Sequence, residues 1–411
     1  MSGYDLNNTL VKSLKGDIDP NNEVSQQDLA SAHELSFHND IKNLKGCNVY
    51  IVCVPTPVDQ NKVPNLTHLI KACKDIAPYV NNDDVVVFES TVYPGATEKI
   101  CIPILEEISG KTCLTDNLAK TSNIFHVGYS PERINPGDKD RNISDITKVT
   151  SGSSQTSQII IKKIYNKIIK AGVHNAGAIK VAEAAKVLEN IQRDVNIALM
   201  NEFSNLCNKI GIDTQEVIRA AKTKWNFLHF TPGLVGGHCI GVDPYYLTDL
   251  AHRENCDVDL IRTARLINEA FPVKVAQRIL SKLLENEILP NKAKILICGV
   301  TFKENVTDIR NSKVKELIDE LVRWNIHVSV HDPNLPISII RENFSENIIQ
   351  DLNKNNFDAI VFAVGHEQFK AISSLTIQNL CLGRQKLIIF DLKSILDKRT
   401  FSNDELEILT L

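Results

Sequence analysis

The chain has 411 residues, with 46 Lys and Arg against 50 Asp and Glu (formal charge −4); 43% are apolar and 23% charged. That length exceeds one small core and predicts two or three domains. The balance excludes a disordered chain, and basic residues spread along the whole length speak against a nucleic-acid-binding stripe. Apolar runs such as Val85-Val86-Val87-Phe88 fall far short of the ~20 residues that cross a bilayer, and the first ten residues carry no signal-peptide pattern. A cytoplasmic protein with neither membrane nor nucleic acid as partner is expected.

The first 150 residues alternate strand and helix patterns. Residues 47–54 read as a buried strand ending at Pro55-Thr56-Pro57, 66–80 as a helix, 84–89 as a strand closed by Ser90-Thr91, 98–108 as an amphipathic helix and 125–129 as a strand. This is the order of a parallel sheet covered on both faces. A dinucleotide-binding domain opens with a strand and a Gly-x-Gly-x-x-Gly turn, and no such triad occurs before residue 50. Asp5 either ends the second strand, as the carboxylate for an adenosine ribose, or is a frayed terminal residue. On the first reading the chain begins after the usual first strand, first turn and first helix, about 25 residues too late.

From 154 to 288 the strand signal fades. A proline-free helical periodicity over 178–210 predicts one long helix, and 222–246 breaks it with Pro232, Gly233, Gly236, Gly237, Gly241 and Pro244. A second alternating region has strands at 294–299, 327–332, 357–364 and 386–391 and a helix at 312–323; the tail from Asp397 reads as polar and peripheral. The expected architecture is α/β, with two doubly wound Rossmann-like domains joined by a long central helix, the first without its first strand and glycine turn. The domains are set at 1–153, 154–288 and 289–411. Ligands of such sheets lie at the carboxyl ends of the strands.

None of the ten cysteines forms a Cys-x-x-Cys pair, so neither a metal cluster nor a disulfide framework is expected, and most read as small buried hydrophobes. Cys239 stands apart, in Gly236-Gly237-His238-Cys239-Ile240-Gly241, with Asp243 four residues on. Lys186 and Asn190 share a face of the long helix, Glu132 follows a strand end and Thr91 closes the strand before it. A thiolate, an ammonium, an amide and a carboxylate suit oxidation at a carbonyl carbon: the thiolate adds to an aldehyde, donors hold the oxyanion, hydride leaves and a base activates water. The same residues also admit a plainer reading, with Lys186 solvated and Cys239 packed in a core. His238 is read as pointing away from the chemistry.

Long strings carry a resemblance: VPTP at 54–57, FESTVYPG at 88–95, GYSPERINPGDK at 128–139, the run 179–202, KWNF at 224–227, PGLVGGHCIGVDPYYL at 232–247, TFKEN at 301–305 and DIRN at 308–311. The chain resembles the UDP-glucose/GDP-mannose 6-dehydrogenase family, and is most similar to its bacterial branch acting on UDP-N-acetylhexosamines. The resemblance implies an NAD-dependent four-electron oxidation of a sugar C6 hydroxymethyl to a uronate, with UDP-N-acetyl-D-glucosamine as the expected substrate. It implies Cys239 as the nucleophile, Lys186, Asn190 and Asp243 as the polar group around the 6-oxygen, Glu132 as the hydrolytic base and Thr91 as the residue that positions water. Asp5, Val54, Pro55, Thr56, Glu89, Ser90 and Thr91 would line the coenzyme. Arg133, Asn135, Lys139, Lys186, Asn190, Trp225, Phe230, Gly233, Gly236, Lys303, Arg310 and Lys393 would hold the UDP-sugar. The family forms homodimers or larger homo-oligomers around the central helix and feeds polysaccharide biosynthesis.

The chain departs from the family pattern at Thr231, where an arginine is usual, at His229 for proline, and at Val306-Thr307 for Cys-Pro. UDP-glucose and the galacto and manno N-acetyl epimers remain alternative substrates. An inactive sugar-nucleotide-binding homologue and a two-electron alcohol dehydrogenase or epimerase-like enzyme remain alternative functions.

Overall fold

A computed structural model describes residues 1–20, 23–117, 122–134, 141–345, 347–352, 356–380, 387–397 and 406–411. The chain divides into two compact units, 1–189 with 245–257, and 190–244 with 258–411.

The first unit begins with β1 (Ser2–Tyr4), helix α1 (Asn8–Lys15), α2 (Gln26–Ser31) and β2 (Ser36–His38). β1 and β2 form a parallel pair. Asn7 starts α1 by accepting from the amides of Thr9 and Leu10, the role for which short polar side chains are selected at helix N-termini. There follow β3 (Val49–Val52), α3 (Thr67–Ile76), β4 (Val85–Phe88), α4 (Ile102–Ser109), β5 (Thr112–Cys113) and β6 (Ile124–Tyr129). These strands make a parallel sheet in the order β3-β4-β6-β5. All four residues of β4 are buried, which explains a strand that is apolar throughout and not alternating.

Sequence reading missed a further parallel pair, β7 (Lys148–Thr150) with β8 (Val173–Asn175), on either side of α5 (Gln155–Asn166). Ile161, Tyr165 and Ile169 pack on Val85 and Val87 of β4. Helix α6 (Ile179–Ile210) runs for 32 residues, and the division between units falls within it.

The second unit holds the rest of α6, α7 (Thr214–Lys222) and α9 (Asp259–Glu285); α8 (Asp243–Arg253) crosses back into the first unit at Tyr245. Beyond α9 come β9 (Lys294–Cys298), α10 (Lys313–Arg323), β10 (His327–His331), α11 (Ile337–Asn343), β11 (Ala359–Phe362), α12 (Glu367–Lys370), α13 (Ser374–Asn379), β12 (Leu387–Asp391) and β13 (Leu406–Thr410). The sheet is parallel throughout, in the order β10-β9-β11-β12-β13. In strand sequence this is 2-1-3-4-5, a doubly wound topology. One face packs Phe271, Val275 and Ile279 of α9 with Leu317 and Leu321 of α10; the other packs Phe369, Ile377 and Leu380.

β13 corrects the expectation of a peripheral tail. Leu406 and Ile408 pack on one face of the sheet, Leu409 and the buried Leu411 on the other, so a polar approach conceals an alternating edge strand. Of the cysteines, Cys73, Cys101, Cys113, Cys207 and Cys298 are buried as expected, Cys53 and Cys256 are exposed, and Cys381 lies outside the described residues. Among the described residues no helix is long and apolar enough to cross a membrane, and no His, Cys, Asp and Glu cluster could hold a metal ion.

Candidate active site

The parallel sheet of the first unit ends in two loops tied to each other. Ser90 Oγ donates to the Val54 carbonyl at 2.7 Å, and Thr56 Oγ1 donates to the Thr91 carbonyl at 2.7 Å. Tyr246, from α8, fastens the same corner by donating to the Thr56 carbonyl at 2.5 Å. Behind Thr91, Glu183 of α6 is fully buried and accepts from the amides of Gly95 at 2.5 Å and Thr97 at 3.0 Å. Burial raises its carboxyl above the usual range despite these bonds.

Lys186, one turn further along α6, is 7% exposed, and its Nζ donates to the Glu132 carbonyl at 2.6 Å. The solvated reading of Lys186 therefore fails. The Glu132 carboxylate folds back to accept from the Ile134 amide. Arg133 pairs with Glu189 at 2.7 Å and donates to the Thr147 carbonyl at 2.8 Å. Asn135 and Lys139 lie outside the described residues.

Asp5 follows the last residue of β1, its amide bonded to the His38 carbonyl at 3.1 Å, so it sits at a strand end and is not frayed. Its Oδ1 accepts from the Asn7 amide at 2.7 Å and the residue stays exposed. A carboxylate at the carboxyl end of a parallel strand, with the tied loops of β3 and β4 in the same unit, is a donor set that fits the ribose and nicotinamide parts of a dinucleotide. Glu89 differs from expectation. Its carboxylate is turned inward, 3.0 Å from buried Lys148, and accepts from the Tyr165 hydroxyl, so it anchors the wall of this region from within.

In the second unit, Asn190 and Asp243 are buried and bonded, Asn190 Nδ2 donating to Asp243 Oδ2, while Arg193 donates to Asn190 Oδ1. The Cys239 carbonyl accepts from the amides of Val242 at 3.2 Å and Asp243 at 2.9 Å. The cysteine turn thus winds directly into the start of α8, and its half-buried position rules out a fully packed core thiol.

The glycines before it have a steric cause. A Cβ on Gly236 would lie 2.6 Å from the Asn311 carbonyl oxygen, and one on Gly237, at φ +82°, would lie 2.7 Å from the Phe302 ring. Gly233 is held differently from expectation: its amide donates to Asn201 Oδ1 at 2.8 Å, so that donor is already engaged. Asn201 in turn donates to Asn268 Oδ1 at 2.8 Å, and Asn268 to Asp194 Oδ1 at 2.8 Å. Asp194 also faces Arg265, whose Nε is 2.9 Å from Asp194 Oδ2, with both residues buried.

At the carboxyl ends of β9, β11 and β12, a small cavity is lined by Gly236, Phe302, Lys303, Ser312 and Lys393, beside the first turn of α10. Three lysines line it, Lys303, Lys393 and Lys313, the last already paired with Glu269 and Glu316; with a helix N-terminus they suit an anionic group such as a phosphate. Lys393 is 2.9 Å from Glu304; burial draws the Glu304 carboxyl upward, but the Lys393 ion pair and hydrogen bond outweigh it and leave it below the usual range. Arg310 grips Asp308 through Nε and Nη2, at 2.6 Å for the closer contact, and is otherwise exposed. His238 is exposed, and desolvation followed by the charge of Arg310 lowers its proton affinity. Trp225 is 92% exposed and Phe230 half-buried.

Residues that sequence reading overlooked are Glu183, Tyr246, Asn201 and Arg265. Glu183, Asn201 and Arg265 are polar residues at apolar-periodic positions, and that interruption was the available signal; Tyr246 fits the apolar pattern and gave none.

Models of the UDP-glucose/GDP-mannose dehydrogenase family match the chain over three stretches: the NAD binding domain over 1–169, the central domain over 180–270 and the UDP binding domain over 296–398. A UDP-N-acetyl-D-glucosamine 6-dehydrogenase of Pseudomonas aeruginosa is 44% identical over 396 residues, covering 96% of this chain and 92% of that protein. One of Salmonella typhi is 43% identical, covering 96% and 90%. Among solved structures, a UDP-D-ManNAc dehydrogenase from Pyrococcus horikoshii superposes with a TM-score of 0.86 at 28% identity, covering 100% of this chain and 92% of that one.

Proposed function

Because the chain belongs to the UDP-glucose/GDP-mannose dehydrogenase family, we propose that it oxidises the C6 hydroxymethyl of UDP-N-acetyl-D-glucosamine to a carboxylate. The observation that carries this reading furthest is the buried Asn190–Asp243 pair wound directly onto the Cys239 turn. NAD, when bound, accepts hydride in each of two successive oxidations. Lys186, Asn190 and Asp243 hold the 6-oxygen and take up its proton. The Cys239 thiolate adds to the aldehyde carbon, and the resulting thiohemiacetal loses the second hydride to become a thioester. Water activated by Glu132 and positioned by Thr91 attacks the thioester, releasing the carboxylate and returning the thiol. The alcohol, water and two NAD+ become the carboxylate, two NADH and three protons. A thiol that retains the aldehyde between oxidations would keep it from being released.

The three family stretches support a division into a coenzyme-binding part at 1–153, a central helical part at 154–288 and a UDP-binding part at 289–411. Asp5 and the loops at 54–56 and 90–91 serve the coenzyme, with Glu89 bracing them from within. Lys303, Arg310 and Lys393 serve the diphosphate, with Trp225, Phe230, Gly233 and Gly236 on the covering loop, and Arg133 with its neighbours Asn135 and Lys139 on the sugar side.

A cytoplasmic homodimer is part of this reading. Val181, Leu188, Leu199, Leu206 and Ile210 are all more than half exposed, and at the helical repeat they fall within about 40° of arc on α6. An apolar stripe of this kind fits a second copy of the chain. Light scattering should give a dimer mass that Leu199→Glu reduces to the monomer.

The direct test is NADH formation by the purified chain. Two NADH per UDP-N-acetyl-D-glucosamine, with UDP-glucose slower and Cys239→Ala inactive, is the expected result. One NADH per sugar with free aldehyde accumulating would overturn the covalent route. Full turnover in Cys239→Ala would leave a two-electron dehydrogenase, and a preference for another epimer would reassign the substrate.

A further inference from the structure

The residues just before Cys239 rest on the loop after β9. The Gly237 amide donates to the Asn311 carbonyl at 3.3 Å, and Asn311 Nδ2 donates back to the Gly237 carbonyl at 3.4 Å. One residue therefore satisfies both main-chain polar groups of a glycine two positions before the thiol. Asn311 does this from a left-handed backbone at φ +54°, a conformation that asparagine and glycine tolerate and most residues do not. The approach is as close as sterics allow, since any side chain on Gly236 or Gly237 would strike Asn311 or Phe302.

The same loop carries Lys303, which lines the small cavity described above, and the exposed Arg310 beside it. Lys303 follows Phe302, Arg310 precedes Asn311, and the cavity wall includes both Gly236 and Lys303. The loop is braced within itself: the Phe302 amide donates to the Asp308 carbonyl at 3.1 Å, Arg310 clamps Asp308, and Ser312 Oγ donates to the Thr301 carbonyl at 3.3 Å. It is also pinned from below, where His366 Nδ1 accepts from the Asn305 amide at 3.0 Å while its Nε2 faces Asp332 at 3.2 Å. A braced loop of this kind responds to an anion as one body; it packs on the nucleophile turn through Phe302 and hydrogen-bonds to it through Asn311.

We infer that Asn311 is a positioning residue through which a nucleoside diphosphate on Lys303 and Arg310 sets the conformation of the Cys239 turn. The inference rests on Cys239 being the nucleophile. It makes the nucleotide portion of the substrate, remote from the reacting carbon, a determinant of thiol reactivity; binding energy far from the chemistry would then be expressed in turnover.

The test uses the full-length chain and UDP alone as probe. Iodoacetamide labelling of Cys239 is followed by peptide mass spectrometry, which separates it from the other cysteines. UDP should change the wild-type labelling rate by about threefold or more. In Asn311→Gly, which keeps the left-handed backbone but removes the amide, and in Asn311→Asp, which keeps the shape but removes the donor, UDP should bind within about twofold of the wild-type Kd. Its effect on labelling should be lost, and kcat should fall about tenfold with KM for the UDP-sugar little changed. Simple shielding of the thiol by UDP would persist in both variants, so an undiminished UDP effect in variants of normal Tm overturns the proposal. A wild-type labelling rate indifferent to saturating UDP overturns it equally. Should Asn311→Gly lower Tm, Asn311→Asp decides. Activity of Cys239→Ala is measured alongside: its survival removes the nucleophile assignment, whereas its loss together with an unaltered UDP effect in the Asn311 variants removes only the coupling.

Discussion

Two carboxylates on helix α6, Glu183 and Asp194, are both fully buried, yet the two regions of the molecule neutralise them by different means. Glu183, in the first unit, is met by main-chain amides of the Gly95–Thr97 segment. Asp194, in the second, is met by the Arg265 guanidinium and the Asn268 amide. Burial raises both carboxyls above their usual range. An amide partner fixes a loop, because only one backbone path presents two N–H groups to one carboxylate. A cationic partner fixes a helix-to-helix register, here α6 on α9, and leaves a second buried charge that needs its mate.

That contrast can be broken experimentally. The largest effect is expected at Arg265→Ala, which leaves Asp194 buried opposite no cation and should cost roughly 3–5 kcal/mol in urea unfolding. Both tryptophans, Trp225 and Trp324, belong to the second unit, so their fluorescence should report the loss directly. If Arg265→Ala unfolds at the wild-type urea midpoint, the ion pair is not what holds α9 to α6. Glu183→Ala orphans the Gly95 and Thr97 amides and should cost about 2 kcal/mol. Because the Thr91 loop lies just before them, it should also lower kcat more than the urea midpoint alone would suggest. Tyr246→Phe removes a single hydrogen bond to Thr56 and should cost about 1 kcal/mol.

The smallest effects are in pH dependence, and they have opposite signs. Glu183 and Asp194 bind protons more tightly folded than unfolded, so their contribution is greatest at low pH and declines as pH rises from the ordinary carboxylate range towards their raised values. Glu304 binds protons more weakly when folded, so its contribution is present above the ordinary carboxylate value and is lost as pH falls through its depressed one. Thermal melts across this range should show Glu183→Gln flattening the decline on the alkaline side and Glu304→Gln flattening the loss on the acid side. Parallel curves for both variants would mean that neither carboxyl is shifted.

Much of this framework was legible in the residues. The apolar runs at 47–54, 84–89 and 125–129 became β3, β4 and β6, and the uninterrupted periodicity of 178–210 became α6 within a residue of its expected start. The glycines and proline around Cys239 announced a fixed turn. β7 and β8 were not legible: with three residues each, they show too little alternation to register and exist because they pair with each other. β13 was masked by the polar residues before it. The partners of Glu89 and Gly233 were equally hidden, since Lys148 and Tyr165, like Asn201, reach them only after folding. Sequence motifs name the residues near the chemistry, whereas the assignment of each hydrogen-bonding group depends on contacts far apart in the chain.

The return of α8 to the first unit has a consequence for how the protein is made. Thr56 receives its bond from Tyr246, 190 residues later, and Arg253 stacks 4.1 Å from the Tyr93 ring centre. On the ribosome, the coenzyme-side sheet therefore emerges well before the element that locks its strand-end loops. It must wait, with that corner unlatched, until α8 clears the exit tunnel. A fragment cut after α6 would be expected to collapse around β4 yet leave the corner of Thr56 and Thr91 loose, so the first unit is a domain in space but not a segment that can be excised from the chain.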